Sequence, residues 1–168
     1  MLDLAAEAPF ARSLLNAGRL SRPCSLAGMS LQTPDRVPQE AGLRPGEPCI
    51  DAPVVDASGN GAWLLDRLGG SFTLLVLAGA EAPDLAGLPP GLRRVVVAER
   101  SAIVPGAEVL RDPEGLAGRR YGAGSVAAYL IRPDAHVAAR FAALDGEQVA
   151  DALARASGRS GASIQEAA

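Results

Sequence analysis

Two largely apolar runs decide most of what this chain can fold into. Residues 72–78 read Phe-Thr-Leu-Leu-Val-Leu-Ala, and residues 92–98 read Leu-Arg-Arg-Val-Val-Val-Ala. A strand with one wet face alternates apolar and polar side chains. A run that is apolar at successive positions belongs to a strand covered on both faces. Such strands are joined by crossovers, which calls for an α/β structure with the sheet inside. At 168 residues the chain suits one domain with an extra arm. A chain of that size buries ~70% of its unfolded surface without a metal or disulfide staple.

The remaining elements arrange themselves around those runs. Val54-Val55 and Ala62-Trp63-Leu64-Leu65 flank a turn cluster at 56–61 and predict a hairpin. Asp112-Pro113-Glu114 opens a helix, with Asp at the N-cap and Pro at N1, that ends near Tyr121-Gly122. Val126–Arg132 and His136–Phe141 predict a second hairpin across Pro133-Asp134-Ala135. Asp145 caps a last helix with Val149, Ala152, Leu153 and Ala156 on one face. The expected order is hairpin, buried strand, helical link, buried strand, helix, hairpin, helix.

The first 50 residues differ in character. Pro9 suits the first position of a helix, Phe10 and Leu14 repeat at helical spacing, and Gly18 suits its stop. A long stretch then carries Pro23, Pro34, Pro38, Pro45 and Pro48 without periodicity. Structureless connections beyond ~12–15 residues are uncommon inside a domain. This arm therefore either wraps its own domain or packs on something outside this chain. The expected division is a helical segment at 1–20, an extended proline-rich arm at 21–48, a sheet domain at 49–157 and a flexible tail at 158–168. Phe10, Leu14 and Leu15 form an apolar stripe that packs back on the domain or forms an interdomain or dimer interface.

Charge and targeting exclude several classes. The net charge is −3, and all 16 basic residues are arginine, which excludes a nucleic-acid module acting through net positive charge. No run reaches the ~18 apolar residues of a membrane span. Met1-Leu2-Asp3-Leu4 has no cationic leader character, so a cytoplasmic location is expected. Bridging Cys24 and Cys49 would close a loop of ~26 residues, worth roughly 3–4 kcal/mol. Without an export signal, two free thiols are the expectation.

Several segments resemble known families. Gly46-Glu47-Pro48-Cys49-Ile50-Asp51-Ala52-Pro53-Val54, then Leu64-Leu65-Asp66-Arg67-Leu68-Gly69 and a buried strand, are similar to the opening of a peroxiredoxin-type domain. Leu110–Ala117, Tyr121-Gly122 and Tyr129–Asp134 continue it. A resemblance over nearly the whole chain is to the C-terminal region of FAD-dependent aromatic hydroxylases, the relatives of phenol hydroxylase and 3-(3-hydroxyphenyl)propionate hydroxylase. It rests on Pro9-Phe10-Ala11-Arg12, Asn16–Ser21, Pro45-Gly46, Asp51–Val54, Trp63-Leu64-Leu65, Phe72–Leu75, Ala128–Asp134 and His136-Val137-Ala138, in that order. The resemblance implies a thioredoxin-like α/β fold, a peroxiredoxin-style mixed sheet flanked by helices, appended to a flavin monooxygenase. It also implies FAD and NAD(P)H for the parent enzyme, a flavin-binding catalytic domain as partner, and a structural role in a homodimer.

Little in the chain itself points to catalysis. A thiol enzyme of this fold carries its cysteine just after the first buried strand, where a helix N-terminus activates the thiolate. Here that stretch is Ala78-Gly79-Ala80-Glu81-Ala82-Pro83, and Ser125-Val126 stands where the active fold has a cis-proline. Gly122-Ala123-Gly124-Ser125-Val126-Ala127 has dinucleotide-type spacing but follows a helix and precedes a strand, the reverse of what such binding needs. His136 lacks ligand partners nearby, Asp134 reads as a turn residue, and Asp112 and Glu114 read as a cap. Arg93-Arg94 and Arg119-Arg120 read as solvated doublets. The expectation is that this chain has no catalytic, cofactor-binding or metal-binding residues of its own. Two alternatives remain: a divergent peroxiredoxin-like reductase using Cys49, and a free-standing binding module of the same fold.

Overall fold

The computed structural model describes residues 23–38, 42–79, 81–100 and 103–159. The strands are β1 (Pro53–Val55), β2 (Gly61–Trp63), β3 (Thr73–Ala78), β4 (Arg93–Ala98), β5 (Glu108–Arg111), β6 (Ala128–Ile131) and β7 (Val137–Phe141). Two α-helices, α1 (Leu116–Arg120) and α2 (Gly146–Ala156), and a single 3₁₀ turn at Leu65–Arg67 complete the described elements. The seven strands form one mixed sheet in the order β2-β1-β5-β4-β3-β6-β7. β3, β4 and β5 are parallel, and every other pairing is antiparallel.

The two apolar runs are the centre of this sheet, as their composition requires. Leu75, Val95 and Val97 face one core layer, while Leu74, Val76 and Val96 face the other. Each such fully buried aliphatic side chain contributes roughly 1.5–3 kcal/mol. The second layer is closed by α2, whose Val149, Ala152 and Ala156 are buried. Asp145 starts this helix as its sequence predicts, its carboxylate accepting from the Glu147 and Gln148 N–H groups at 2.9 and 3.1 Å.

Three local expectations are corrected. No helix links β3 to β4 among the described residues. Pro83, Pro89 and Pro90 lack amide donors, and Gly87 and Gly91 take positive φ. The link instead buries Leu85, Leu88 and Leu92 as a loop. The α1 helix starts at Leu116 rather than at Pro113. Gly115, at φ 63°, breaks the turn after Asp112, whose carboxylate still accepts from Leu116 and Gly118 N–H at 2.9 and 2.8 Å. Finally, β5 is a strand that the sequence reading left out. Its four residues are too short and mixed to show a period.

The first layer is closed in part by the arm and the residue that follows it. Val37, Leu43 and Cys49 sit in the same apolar cluster as Tyr121 and Tyr129. Of the two possibilities for the arm, its described part lies on its own sheet. The segment 46–49 runs along the outer side of β7. Gly46 N–H donates to the Val137 carbonyl at 2.7 Å, Val137 N–H to Glu47 at 2.9 Å, and Cys49 N–H to Ala135 at 2.8 Å. A register shift in the β6–β7 ladder leaves Ala138 as the extra residue, and its carbonyl accepts from Thr33 N–H at 3.0 Å. No helix among the described residues is long and apolar enough to cross a membrane. Phe10, Leu14 and Leu15, with the helix that the sequence predicts around them, lie outside the described residues.

Candidate functional site

The carboxyl ends of parallel strands are where open α/β sheets bind ligands. Here the ends of β3 and β4 border a cleft of about 530 Å³ whose lining includes Gly79, Glu99, Asp112, Arg119 and Gly124. It contains no cysteine or histidine. Asp112 is spent on the backbone of α1, and its own N–H donates to the Ala98 carbonyl at 2.9 Å. Arg119 donates to the Glu114 carbonyl at 2.9 Å. The cleft therefore has the position of a ligand site in this kind of sheet, and the carboxylate of Glu99 is exposed on its wall.

The two cysteines lie elsewhere and are both free. Cys24 is exposed on the arm, and Cys49 is buried beside Tyr121. Burial pushes the Cys49 thiol up to about 12, against a lowering hydrogen bond from Tyr121, and the Asp134 charge adds to the rise. A thiol held protonated in this way is the opposite of an activated one.

Around Cys49 the structure assembles a polar set that joins the arm to the sheet. The Tyr121 and Tyr129 rings meet edge to face, with centroids 5.4 Å apart. The Tyr129 hydroxyl accepts from Leu43 N–H at 3.1 Å and donates to the Tyr121 carbonyl at 2.7 Å. The Tyr121 hydroxyl accepts from Ile50 N–H at 3.1 Å and donates to the Ile50 carbonyl at 2.7 Å. Burial raises both phenols, Tyr129 to about 12. At Gly42, φ is 59°, and a Cβ would run into the Tyr129 hydroxyl and the Tyr121 carbonyl, so only glycine lets the arm approach this closely.

The second joint is ionic. The Arg140 side chain is fully buried. Its guanidinium donates to both carboxylate oxygens of Asp35, at 2.9 and 2.7 Å, and to the Val37 and Pro38 carbonyls at 3.1 Å. The Asp35 hydrogen bonds raise the Arg140 pKa further, against its desolvation. These joints were not anticipated from sequence. An arginine inside the buried strand His-Val-Ala-Ala-Arg-Phe was a signal that a carboxylate must lie nearby. Its partner stands 105 residues away and could not be named.

The other candidates are spread over turns, strand ends and the contact between arm and sheet. Gly122 and Gly124 take φ 67° and 96° in the turn between α1 and β6. No helix follows them to offer its N–H groups to a pyrophosphate, so this string does not fit FAD or NAD(P)H. Asp134 forms the turn, pairing with Arg132 at 2.8 Å and accepting from His136 N–H at 3.2 Å. The His136 ring lies 3.0 Å from the Cys24 carbonyl and 3.1 Å from the Asp134 carbonyl, another tie between arm and sheet. The doublets correct the expectation of solvated arginines in part: Arg93 and Arg94 are half-buried on β4, with Arg93 paired to Glu108 at 2.9 Å, whereas Arg119 and Arg120 are exposed and Arg120 reaches the Asp51 carbonyl. Among the described residues, no group of three or more His, Cys, Asp or Glu side chains could hold a metal ion.

No protein-family model and no curated protein matches the chain. Solved structures do. A flavin-dependent monooxygenase, PieE, crystallised with FAD and substrate, matches 94% of this chain with 22% identity and a TM-score of 0.53. A putative thiol:disulfide interchange protein, DsbE, from Chlorobium tepidum matches 68% of this chain and 99% of its own, with 20% identity and a TM-score of 0.53. The fold is thioredoxin-like. Aklavinone-11 hydroxylase, crystallised with FAD and aklavinone, matches 76% of this chain with 26% identity and a TM-score of 0.51. This chain spans 32% of the first monooxygenase and 25% of the hydroxylase. Thioredoxin-like structure thus occurs among its neighbours both as a thiol protein and as part of a larger flavoprotein.

Proposed function

We propose that this chain is a redox-inactive thioredoxin-like domain that forms the C-terminal, structural part of an FAD-dependent aromatic-ring monooxygenase and supports its homodimer. One observation carries the reading. The likeness to the thiol:disulfide interchange protein covers 68% of the chain, roughly the length of residues 49–157, whereas the likeness to the flavin monooxygenase covers 94% and must reach into the residues before them. The cysteine-free β3 cleft and the buried, protonated Cys49 support it. FAD and NAD(P)H would be held by the catalytic region, which would supply the hydroxylation chemistry. This chain's own residues supply packing.

The test has two arms. Titrated alone with FAD, the chain is expected to show no micromolar binding. The DNA directly upstream is expected to encode a flavin-binding region in frame or in a neighbouring gene, whose product co-purifies with this chain as a dimer. Tight FAD binding by the chain alone, or failure of any flavoprotein to co-purify, overturns the reading.

The near-complete cover of the interchange protein favours a second reading, a divergent thiol reductase acting through Cys49. Peroxide or disulfide turnover that disappears in Cys49→Ser would establish it. Absence of turnover in the native chain ends it.

A further inference from the structure

Where the arm meets β7 and α2 there is a second cavity of about 330 Å³, which shares no residue with the β3 cleft. That volume lies in the range of small-molecule sites. Its floor is Phe141 and Ala152, both buried, and its rim carries Arg36, Gln148, Asp151 and Arg155. Three features of this cavity point the same way.

First, two arginines of its rim, Arg36 and Arg155, lie outside every ion pair among the described residues. Arg140, on the same lining, is already engaged by Asp35. In a chain of net charge −3, this is a local excess of positive charge. Arginine is also the side chain best shaped to grip an oxyanion.

Second, Thr33 is on the lining of this cavity, and its hydroxyl is buried with no hydrogen-bond partner among the described residues. It is held in place by its own backbone, whose N–H donates to the Ala138 carbonyl at 3.0 Å, and by the neighbouring Pro34. A buried hydroxyl left without a partner is costly, and native proteins answer such groups with water, an ion or a ligand.

Third, the cavity is two-sided in chemistry. An anionic group at the arginine rim would leave the rest of the ligand over Phe141 and Ala152. Asp151 on the same rim sets one carboxylate against the two arginines, which leaves the rim with a net positive charge.

We propose that this cavity binds a small molecule bearing one oxyanion, a carboxylate or a phosphate monoester, on an apolar body. Arg36 and Arg155 hold the oxyanion, the Thr33 hydroxyl donates to it, and Phe141 and Ala152 take the apolar part. The site owes nothing to the monooxygenase reading and stands or falls separately.

Titration of the ¹⁵N-labelled chain at low ionic strength with acetate, inorganic phosphate and benzoate tests it. Saturable amide shifts confined to residues 33–36, 141 and 148–155 are expected, with benzoate binding roughly tenfold more tightly than acetate because its ring is buried. Arg36→Gln with Arg155→Gln should weaken every probe at least about tenfold. Both side chains are exposed, so the fold is retained. Thr33→Val should weaken binding a few-fold without lowering the thermal midpoint, because its hydroxyl has no partner to lose. Shifts that never saturate, or that persist unchanged in the double variant, overturn the site. A lowered midpoint in Thr33→Val shows that the hydroxyl is already satisfied and overturns its role. Binding of acidic peptides with none of these small probes overturns the ligand class.

Discussion

The two edges of the sheet are finished in opposite ways. Along β7 the outer backbone groups are paired with the arm, the Arg140–Asp35 ion pair is locked beneath it, and Val37 and Leu43 are packed into the core. At the far edge, β2 pairs only with β1, runs for three residues, and leaves Trp63 54% exposed. A long exposed edge is an invitation to unwanted strand pairing, whereas a very short one needs no cover. The arm is therefore structural along its described length. It serves β7 as a covering strand would, although its prolines keep it from being one.

The largest effect should come from removing that cover. Deletion of residues 1–48 opens the β7 edge and strands a buried guanidinium. The shortened chain should then lose its cooperative urea transition or self-associate, as circular dichroism and light scattering would show. A monomer as stable as the full chain would refute the structural role of the arm. Next, Asp35→Ala removes one partner of the buried pair and should cost about 3 kcal/mol in urea unfolding. Faster hydrogen exchange at residues 42–49, and not at β2, should accompany it.

Tyr121→Phe gives up the hydroxyl that ties Ile50 to the core and should cost about 1–2 kcal/mol. It should also expose the thiol beside it. In the native chain a thiol reagent should find one reactive cysteine, Cys24, and find both only after denaturation or in this variant. The same buried groups set an alkaline limit. Cys49 is raised from an ordinary value of 9.0 to about 12, so the folded state keeps a proton that the unfolded state releases. That contribution is intact below about pH 9 and is lost as the pH climbs from there to about 12. Cys49→Ser should flatten this part of the profile. The smallest effect belongs to the open edge: Trp63→Ala should change the stability of this chain by no more than about 0.5 kcal/mol. A loss of several times that would mean that β2 is covered too.

Much of the sheet was legible because its signals are local. Continuous apolar runs marked β3 and β4, Pro133-Asp134-Ala135 marked the β6–β7 turn, and Asp145 with its four-residue spacing marked α2. Where the reading failed, the physics was not local. The β3–β4 link had the length of a helical crossover, yet its prolines and glycines chose a loop that still buries three leucines. The arm has no period because it matches the irregular rim of a sheet that is formed by residues about a hundred positions later. The missing thiol was readable as a vacant position in the sequence. The Tyr121–Tyr129 pair, the Arg140 joint and the Thr33 cavity all depend on side chains that only the folded chain brings together.

The β3–β4 link has a consequence for anyone who would engineer a thiol centre into this domain. At Gly79 a Cβ would meet nothing within 4 Å, so a cysteine would fit at the end of β3. It would still be an ordinary thiol. No described helix begins there to stabilise the thiolate, and the one cation on the cleft wall among the described residues, Arg119, is opposed by Glu99 and Asp112. Adding the sulfur would supply an atom without the field that a reactive thiolate needs. A reactive thiol there would need a rewritten loop as well as a cysteine.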